Sequence, residues 1–311
     1  MKNTRMLTEG ALMLAVFAVL IFLSVFVPMA TFITNFFLIL PFLLYSAKYP
    51  MKNAFVLLAG AIGMSAVISV LAVPIAVLYG TTGLVMGYCI RSGKSKLISY
   101  MASSMVFLGN IVLFYGIVVT LFEFNFMDEF TRMFRSSADK YGNLLESLGQ
   151  APNVQVTQQI EGMIKLMKTL APSLLIGGAF LSVILLMVVN FPLLKRFGVN
   201  VPQFPPFRTL KFPRSILWYY LITLIISFVA DLEEGTYLYL VVMNAAYILE
   251  MLLLIQGLAF IFYYSYLKNW PKAIPIMAAI MTFLWPIFFS IVRLLGIIDL
   301  GFDLRERLAK K

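Results

Sequence analysis

The sequence predicts an all-α membrane protein, a polytopic helical bundle with about 8–9 transmembrane helices. Hydrophobic residues make up 61% of the chain and charged residues only 12%, whereas roughly a quarter of the residues in a soluble domain are charged. Several apolar segments also reach about 20 residues, the length that a helix needs to cross a hydrocarbon layer about 30 Å thick. The lipid bilayer is therefore the first expected partner.

The apolar segments set the order of the predicted spans. They lie at residues 7–27, 32–47, 53–72, 74–90, 98–122, 170–190, 215–230, 237–266 and 272–297. The first could be a signal peptide, because Lys2 and Arg5 precede it. Its apolar run is longer than a usual signal sequence, no small-residue cleavage site follows, and further spans come at once, so we interpret it as a retained helix.

Basic residues fall on alternate connections between these spans. If the N-terminus is cytoplasmic, the cytoplasmic connections hold Lys2, Arg5, Lys48, Lys52, Arg91, Lys94, Lys96, Lys195, Arg196, Arg208, Lys211, Arg214, Lys268 and Lys272. Cytoplasmic loops of membrane proteins are enriched in Lys and Arg. The pattern predicts a multi-pass protein of a bacterial plasma membrane with its N-terminus in the cytoplasm.

The basic C-terminal tail conflicts with nine spans. Nine crossings place Arg305, Arg307, Lys310 and Lys311 outside, against the charge rule. Residues 272–297 are too few for two crossings. Two interpretations stay open: the tail is an exception, or a break at Trp285-Pro286 makes this segment re-entrant.

The predicted organisation has three parts. Residues 1–197 form a six-helix core, which carries an amphipathic helical hairpin at 123–169 over the outer face, with a break at 149–153. Residues 198–214 form a basic, proline-rich cytoplasmic loop, V-P-Q-F-P-P-F-R-T-L-K-F-P-R from Val201, which favours an extended path. Residues 215–311 hold the C-terminal transmembrane helices and an amphipathic tail.

Three polar residues lie inside the eighth predicted span: Asn244, Glu250 and Gln256. An ionisable group at that depth is costly and raises a functional hypothesis by default. However, six positions separate each from the next, so they face different directions and do not line one channel. We favour hydrogen bonds to neighbouring helices as their role. Asp299 and Asp303 are likewise expected to cap a helix or to pair with Arg305 and Arg307.

Several classes of chemistry are disfavoured. The chain has one cysteine and no histidine, which argues against a disulfide, a zinc site and histidine-dependent catalysis. It has no phosphate-binding glycine-rich motif. We therefore expect no enzyme, no catalytic residue, no metal and no cofactor. The net charge of +10 is better explained by anionic lipid headgroups than by nucleic acid.

Four segments carry a resemblance to a known family. They are L-T-E-G-A-L-M-L-A-V-F-A from Leu7, L-P-F-L-L-Y-S-A-K-Y-P from Leu40, Q-G-L-A-F from Gln256 and G-I-I-D from Gly296. With these segments the whole chain resembles the YybS family, bacterial multi-pass membrane proteins of unknown function.

The first six spans are also distantly similar to the S subunits of energy-coupling-factor vitamin transporters. That resemblance implies an S-subunit-like six-helix core, and a helix-docking surface at Ala11 and Ala15 that would meet a membrane coupling subunit. S subunits are usually about two-thirds as long and lack the hairpin and the C-terminal helices. The resemblance therefore bears more on fold than on function.

Three functions remain as hypotheses. The leading one is a membrane-embedded small-molecule binding or transport-associated subunit, with its pocket among the first six spans, the hairpin as a lid, and Asn35, Tyr79, Asn110 and Glu123 lining the site. The alternative is a non-transporting scaffold that recruits a protein partner through the cytoplasmic loop or the hairpin. An intramembrane enzyme ranks third, because no nucleophile and base occur in a recognisable spacing.

Overall fold

The computed structural model of the protein describes residues 2–147, 154–203, 205–230 and 232–309. Helices dominate these residues, and no strand occurs among them. The predicted break at 149–153 lies outside the described residues, as do Asp231, Lys310 and Lys311. The structure therefore bears out an all-α polytopic bundle.

Eight helices precede the proline-rich loop. They are α1 (Lys2–Phe26), α2 (Pro28–Phe37), α3 (Leu40–Lys48), α4 (Met51–Ile68), α5 (Ala72–Arg91), α6 (Lys96–Phe122), α7 (Phe126–Ser147) and α8 (Val154–Arg196). Five helices follow the loop. They are α9 (Ser215–Val229), α10 (Tyr237–Leu267), α11 (Ala273–Leu284), α12 (Pro286–Phe302) and α13 (Leu304–Ala309).

The described residues contain 7 helices that are long and apolar enough to cross a membrane, or 8 if the bent pair α11 and α12 is one span. Helices α2 and α3 together form one of these spans. Helix α9 is apolar but has only 15 residues, about 22 Å at 1.5 Å per residue. The predicted polytopic helical bundle is thus confirmed, with 7 or 8 candidate spans among the described residues where about 8–9 were predicted.

Two compact units divide the chain, residues 1–130 with 175–203 and residues 131–174 with 204–311. This division differs from the predicted one, because residues 131–174 group with the C-terminal helices and not with the first six spans. Helix α8 contributes to both units. The second amphipathic helix of the hairpin and the sixth span are one continuous helix of 43 residues.

The first unit is closely packed around α3 and α5. Phe17 and Phe42 are fully buried, and their rings meet edge to face with centroids 5.0 Å apart. Glycines of α5 allow the backbones to approach: a Cβ on Gly83 would lie 3.0 Å from the carbonyl oxygen of Ile39. The side chain of Asn190 on α8 donates to the carbonyl of Phe36 over 2.8 Å, which ties the end of α2 to the sixth span.

In the second unit, α11 and α12 meet at a bend of 119°. Trp285 is extended there, with φ −127° and ψ 126°, because a residue before proline is driven away from helical geometry. The start of α11 and the tail after α12 both lie beside the proline-rich loop: Lys272 shares a cavity wall with Arg208, and Lys211 binds Asp303. Of the two open interpretations, this arrangement fits the re-entrant one.

Candidate functional site

Two of the four predicted pocket residues lie on neighbouring helices of the first unit. Asn110 of α6 donates to the hydroxyl of Thr81 on α5 over 2.9 Å and to the carbonyl of Val106 over 2.7 Å. The Tyr79 ring meets Phe107 edge to face with centroids 6.2 Å apart. The structure therefore brings Tyr79 and Asn110 to the same α5–α6 contact.

The other two predicted pocket residues, Asn35 and Glu123, lie near the ends of α2 and α6. Asn35 is half-buried on α2, whereas Glu123 is exposed where α6 ends. Glu123 has a φ of 52°, the left-handed conformation that often terminates a helix. The pocket predicted among the first six spans, with these four residues around it, stays a prediction.

The predicted docking surface lies on the exposed side of α1. Ala11 and Ala15 are both exposed, while Phe17 on the same helix is fully buried. The neighbouring Gly10 faces inward instead, where a Cβ would lie 3.2 Å from the hydroxyl oxygen of Tyr45. Nothing in the first unit covers this alanine surface in the described residues.

Asn244 joins α10 to α8 within the second unit. Its Oδ1 accepts from the hydroxyl of Ser173 over 2.6 Å and from the backbone N–H of Ser173 over 3.0 Å. Its Nδ2 donates to the carbonyl of Thr169 over 2.7 Å. This is the hydrogen-bonded packing role that we favoured for the polar residues of α10.

Glu250 is held by residues of two other helices. It forms an ion pair with Arg293 of α12 and accepts from the hydroxyl of Tyr220 on α9 over 3.2 Å. Each partner of the ion pair is only about a quarter exposed, 27% for Arg293 and 28% for Glu250. Arg293 was not among the predicted site residues, although a charge inside the ninth predicted span is the same kind of signal that indicated Glu250.

A second charged cluster surrounds Asp299, which is fully buried. Its Oδ2 accepts from Gln256 Nε2 over 2.5 Å and from Arg305 Nε over 2.9 Å. Gln256 Oε1 in turn accepts from the backbone N–H of Phe212 over 2.9 Å. One carboxylate therefore links α10, the C-terminal tail and the end of the proline-rich loop.

Close backbone contact between α10 and α12 brings these charged groups together. A Cβ on Gly257 would collide with the carbonyl oxygen of Val292, and one on Gly296 would collide with the carbonyl oxygen of Leu253. Only glycine allows two helices to approach this closely. The segments Q-G-L-A-F and G-I-I-D, which carry the family resemblance, thus contain both contact glycines together with Gln256 and Asp299.

Arg305 also fixes the path of the loop. Its Nη1 donates to the carbonyls of Arg208 and Leu210, each over 2.9 Å. Asp303 adds ion pairs with Lys211, 2.9 Å away, and with Arg214. Together with the hydrogen bond from Phe212 to Gln256, these contacts from the tail fix residues 208–214. The expected pairing of Asp299 with Arg305 is confirmed.

A cavity of ≈ 380 Å³ opens beside the loop held in this way. Its walls come from the loop, the last turns of α10, the turn after α10 and the start of α11. This volume lies within the range of about 300–1,000 Å³ that is typical of ligand pockets. No local sequence pattern predicts this cavity, because it forms only where residues 206–208 of the loop meet residues 262–276.

Aromatic and basic side chains line this cavity, which we call the loop-side cavity. The aromatic side chains belong to Phe207, Phe262, Tyr266 and Trp270, and the basic ones to Arg208 and Lys272. The Arg208 guanidinium lies 3.7 Å from the centre of the Tyr266 ring, a cation–π contact that orients it. The rings of Phe207 and Phe262 meet edge to face with centroids 5.4 Å apart, which closes one wall.

Comparison with known proteins places the chain in a family. The sequence model of the family described as "Predicted membrane protein (DUF2232)" matches residues 15–300. The chain is 32% identical over 311 residues to a Bacillus subtilis (strain 168) protein named "Uncharacterized protein YybS", and the match covers 99% of each chain. No solved structure matches, so the similarity to transporter S subunits stays a prediction. The chain therefore belongs to the DUF2232 family of membrane proteins, which includes YybS.

Proposed function

We propose that this protein binds a small molecule within the bacterial plasma membrane and that the loop-side cavity is its binding site. The supporting observation is the cavity itself, which has the volume of a ligand site and walls in which aromatic and other apolar side chains stand beside a few polar groups. A buried cluster at Asp299 holds the loop that forms one wall. The site lies in the second unit and not among the first six spans, where we first expected it.

The orientation in this proposal keeps the N-terminus in the cytoplasm. It places the basic residues Arg208, Lys211, Arg214 and Lys272 on the cytoplasmic side, in line with the charge rule. A re-entrant α11–α12 pair also returns Arg305 and Arg307 to that side. The conflict that nine full crossings created is thereby removed.

Native mass spectrometry of the detergent-purified protein tests the proposal. We expect a co-purifying molecule that is lost when the cavity is filled by Ile276→Trp, because Ile276 lines the cavity. Ile274→Trp is the matched control, since Ile274 is exposed on the same helix but is not among the lining residues. A bound molecule that survives Ile276→Trp, or the absence of any bound molecule, would contradict the proposed site.

Transport in association with a membrane partner is the finer form of this proposal. Its support is the exposure of Ala11 and Ala15, since small side chains permit close approach of another helix. Ala11→Trp with Ala15→Trp should leave the protein folded and remove a co-purifying membrane partner. Retention of every partner by a folded variant argues against docking at this surface.

The scaffold hypothesis is the second candidate. It is favoured by the exposure of Gln203, Pro205 and Pro206 on the loop, because proline-rich segments are docking sites for polyproline-binding domains. Replacing Pro202 and Pro205 by alanine leaves residues 208–214 in place and should remove such a partner. A partner lost in this variant but kept in the Ala11 and Ala15 variant would favour the scaffold.

A further inference from the structure

We infer that the loop-side cavity binds a phosphate ester that has a net negative charge and an apolar chain, with the phosphate between Arg208 and Lys272 and the chain along Phe262 and Ile276. This inference rests on the proposed function and names the chemical class of its ligand. Four features support it: the charge of the cavity, its apolar walls, its position at the helix ends and the contacts by which Arg305 holds Arg208.

The charge of the cavity selects an anion. Arg208 and Lys272 both contribute to its walls, and none of its described lining residues is acidic. The carbonyl of Arg208 accepts from Arg305, whereas its guanidinium faces Tyr266 in the cavity. Guanidinium and ammonium groups are the side chains that most often bind phosphate.

The apolar walls select a ligand with an apolar part. Phe262, Tyr266 and Trp270 offer ring surface, and Ile276 extends the wall along α11, where it is 49% exposed. A small inorganic anion would leave these surfaces unused. An amphiphile uses both the cations and the rings.

The position of the cavity suits a molecule at the membrane surface. It lies where α10 ends at Leu267 and α11 begins at Ala273, beside Trp270 and Tyr266. Tryptophan and tyrosine are enriched at the level of the lipid headgroups. Basic pockets between helices on the cytoplasmic side are known to bind anionic headgroups.

Arg305 is a positioning residue for this site. It does not line the cavity, but it holds the carbonyls of Arg208 and Leu210 and is itself fixed by Asp299. The loop therefore presents the Arg208 side chain at the cavity wall from a backbone that Arg305 hydrogen-bonds at Arg208 and Leu210. Loss of Arg305 should weaken binding without removing either cation.

Fluorescence of Trp270 reports occupancy of the cavity directly. The chain has three tryptophans, so Trp218→Phe with Trp285→Phe leaves Trp270 as the only one. The full-length protein is reconstituted into phosphatidylcholine vesicles that contain brominated phosphatidylglycerol or, for comparison, brominated phosphatidylcholine. We expect the anionic quencher to be the more effective one. Equal quenching by both lipids overturns the inference.

Variants of the cations make the test specific. Arg208→Gln and Lys272→Gln should each weaken binding of the anionic lipid about fivefold, the effect of one basic residue near a charged membrane surface. Lys268→Gln is the matched control, because Lys268 lies in the same turn but does not line the cavity. A loss in the control as large as in the two variants indicates general surface attraction and contradicts the inference.

Two further comparisons distinguish a soluble ligand from a membrane lipid, and an error in the ligand class from an error in the proposed binding site. Hexyl phosphate, a soluble phosphate ester with an apolar chain, should in excess displace the brominated lipid if a soluble ligand suffices, and should leave it bound if the lipid is required; either result supports the phosphate class. If quenching shows no preference for the anionic lipid while Ile276→Trp still removes a co-purifying molecule, the ligand class is wrong and small-molecule binding stands. If Ile276→Trp does not remove any co-purifying molecule, both the ligand class and the proposed binding site are wrong.

Discussion

Arg305 donates to the fully buried carboxylate of Asp299 over 2.9 Å and, through the other side of its guanidinium, to the backbone of the proline-rich loop. One side chain thus joins the end of α12, the interior of the bundle and the loop. Loss of this ion pair should therefore destabilise the fold. Because the loop forms a wall of the loop-side cavity, the loss should also weaken binding there.

Removal of Arg305 should destabilise the second unit. Arg305→Ala leaves Asp299 buried without a counter-charge, which typically costs about 3–5 kcal/mol. The exposed Arg307 of the same tail is the control, and Arg307→Ala should change the free energy of unfolding by no more than about 0.5 kcal/mol. Denaturant unfolding in detergent measures both. Equal stability of the two variants would show that the buried pair contributes nothing.

Glu250 and Arg293 should be coupled. Glu250→Gln and Arg293→Gln each leave a charge without its partner inside the membrane, and both should reduce abundance and stability. The double variant should recover part of the loss, with a coupling of about 1–2 kcal/mol. Strict additivity in the double-mutant cycle would mean that the two groups do not interact. If Glu250 were neutral, Glu250→Gln alone should change neither abundance nor stability.

Glycines at the α10–α12 contact should not tolerate a side chain. Gly296→Ala places a methyl group against the carbonyl of Leu253 and should cost about 1–3 kcal/mol as the helices separate. Gly178→Ala is the control, because a Cβ there meets nothing within 4 Å and alanine favours a helix. Thermal melting in detergent distinguishes them. Similar melting temperatures would refute close contact at Gly296.

The tail and the proline-rich loop should be accessible from the same side of the membrane. In a Cys89→Ser background, cysteines at Thr209, Arg307 and Ser92 should be protected from an impermeant thiol reagent in intact cells. A cysteine at Glu233, between α9 and α10, should react. Labelling of the Arg307 position together with protection of the Thr209 position would show that α11 and α12 cross the membrane as one span.

The sequence was sufficient to locate most of the spans, because hydropathy acts over about 20 consecutive residues; the spans predicted before and after α10 are a short helix and a bent pair. It also indicated that Asn244, Glu250 and Gln256 have separate roles, since a helix directs residues six positions apart to different sides. In the structure Asn244 contacts Ser173 of α8, whereas Glu250 and Gln256 contact Arg293 and Asp299, which both belong to α12. These inferences need only local spacing along one helix.

The loop-side cavity and the return of the tail could not be predicted in the same way. A Trp-Pro break is compatible with both a kinked span and a re-entrant hairpin. Contacts such as the one from Arg305 to Arg208, which are 97 residues apart in the chain, support the re-entrant arrangement. Such long-range contacts leave no periodic pattern in the sequence.

The central claim is that the C-terminal tail returns to the proline-rich loop and supports the cavity wall. Crosslinking between the tail and the loop tests this claim most directly. Lys211 and Asp303 are joined by a 2.9 Å ion pair, so cysteines at these two positions in the Cys89→Ser background should be joined efficiently by a short bismaleimide in native membranes. The pair Lys211→Cys and Glu233→Cys is the control, because Glu233 lies at the opposite end of α9. We expect efficient crosslinking of the first pair and little of the second. A control pair that crosslinks as well as the first, or a first pair that does not crosslink, would contradict the claim.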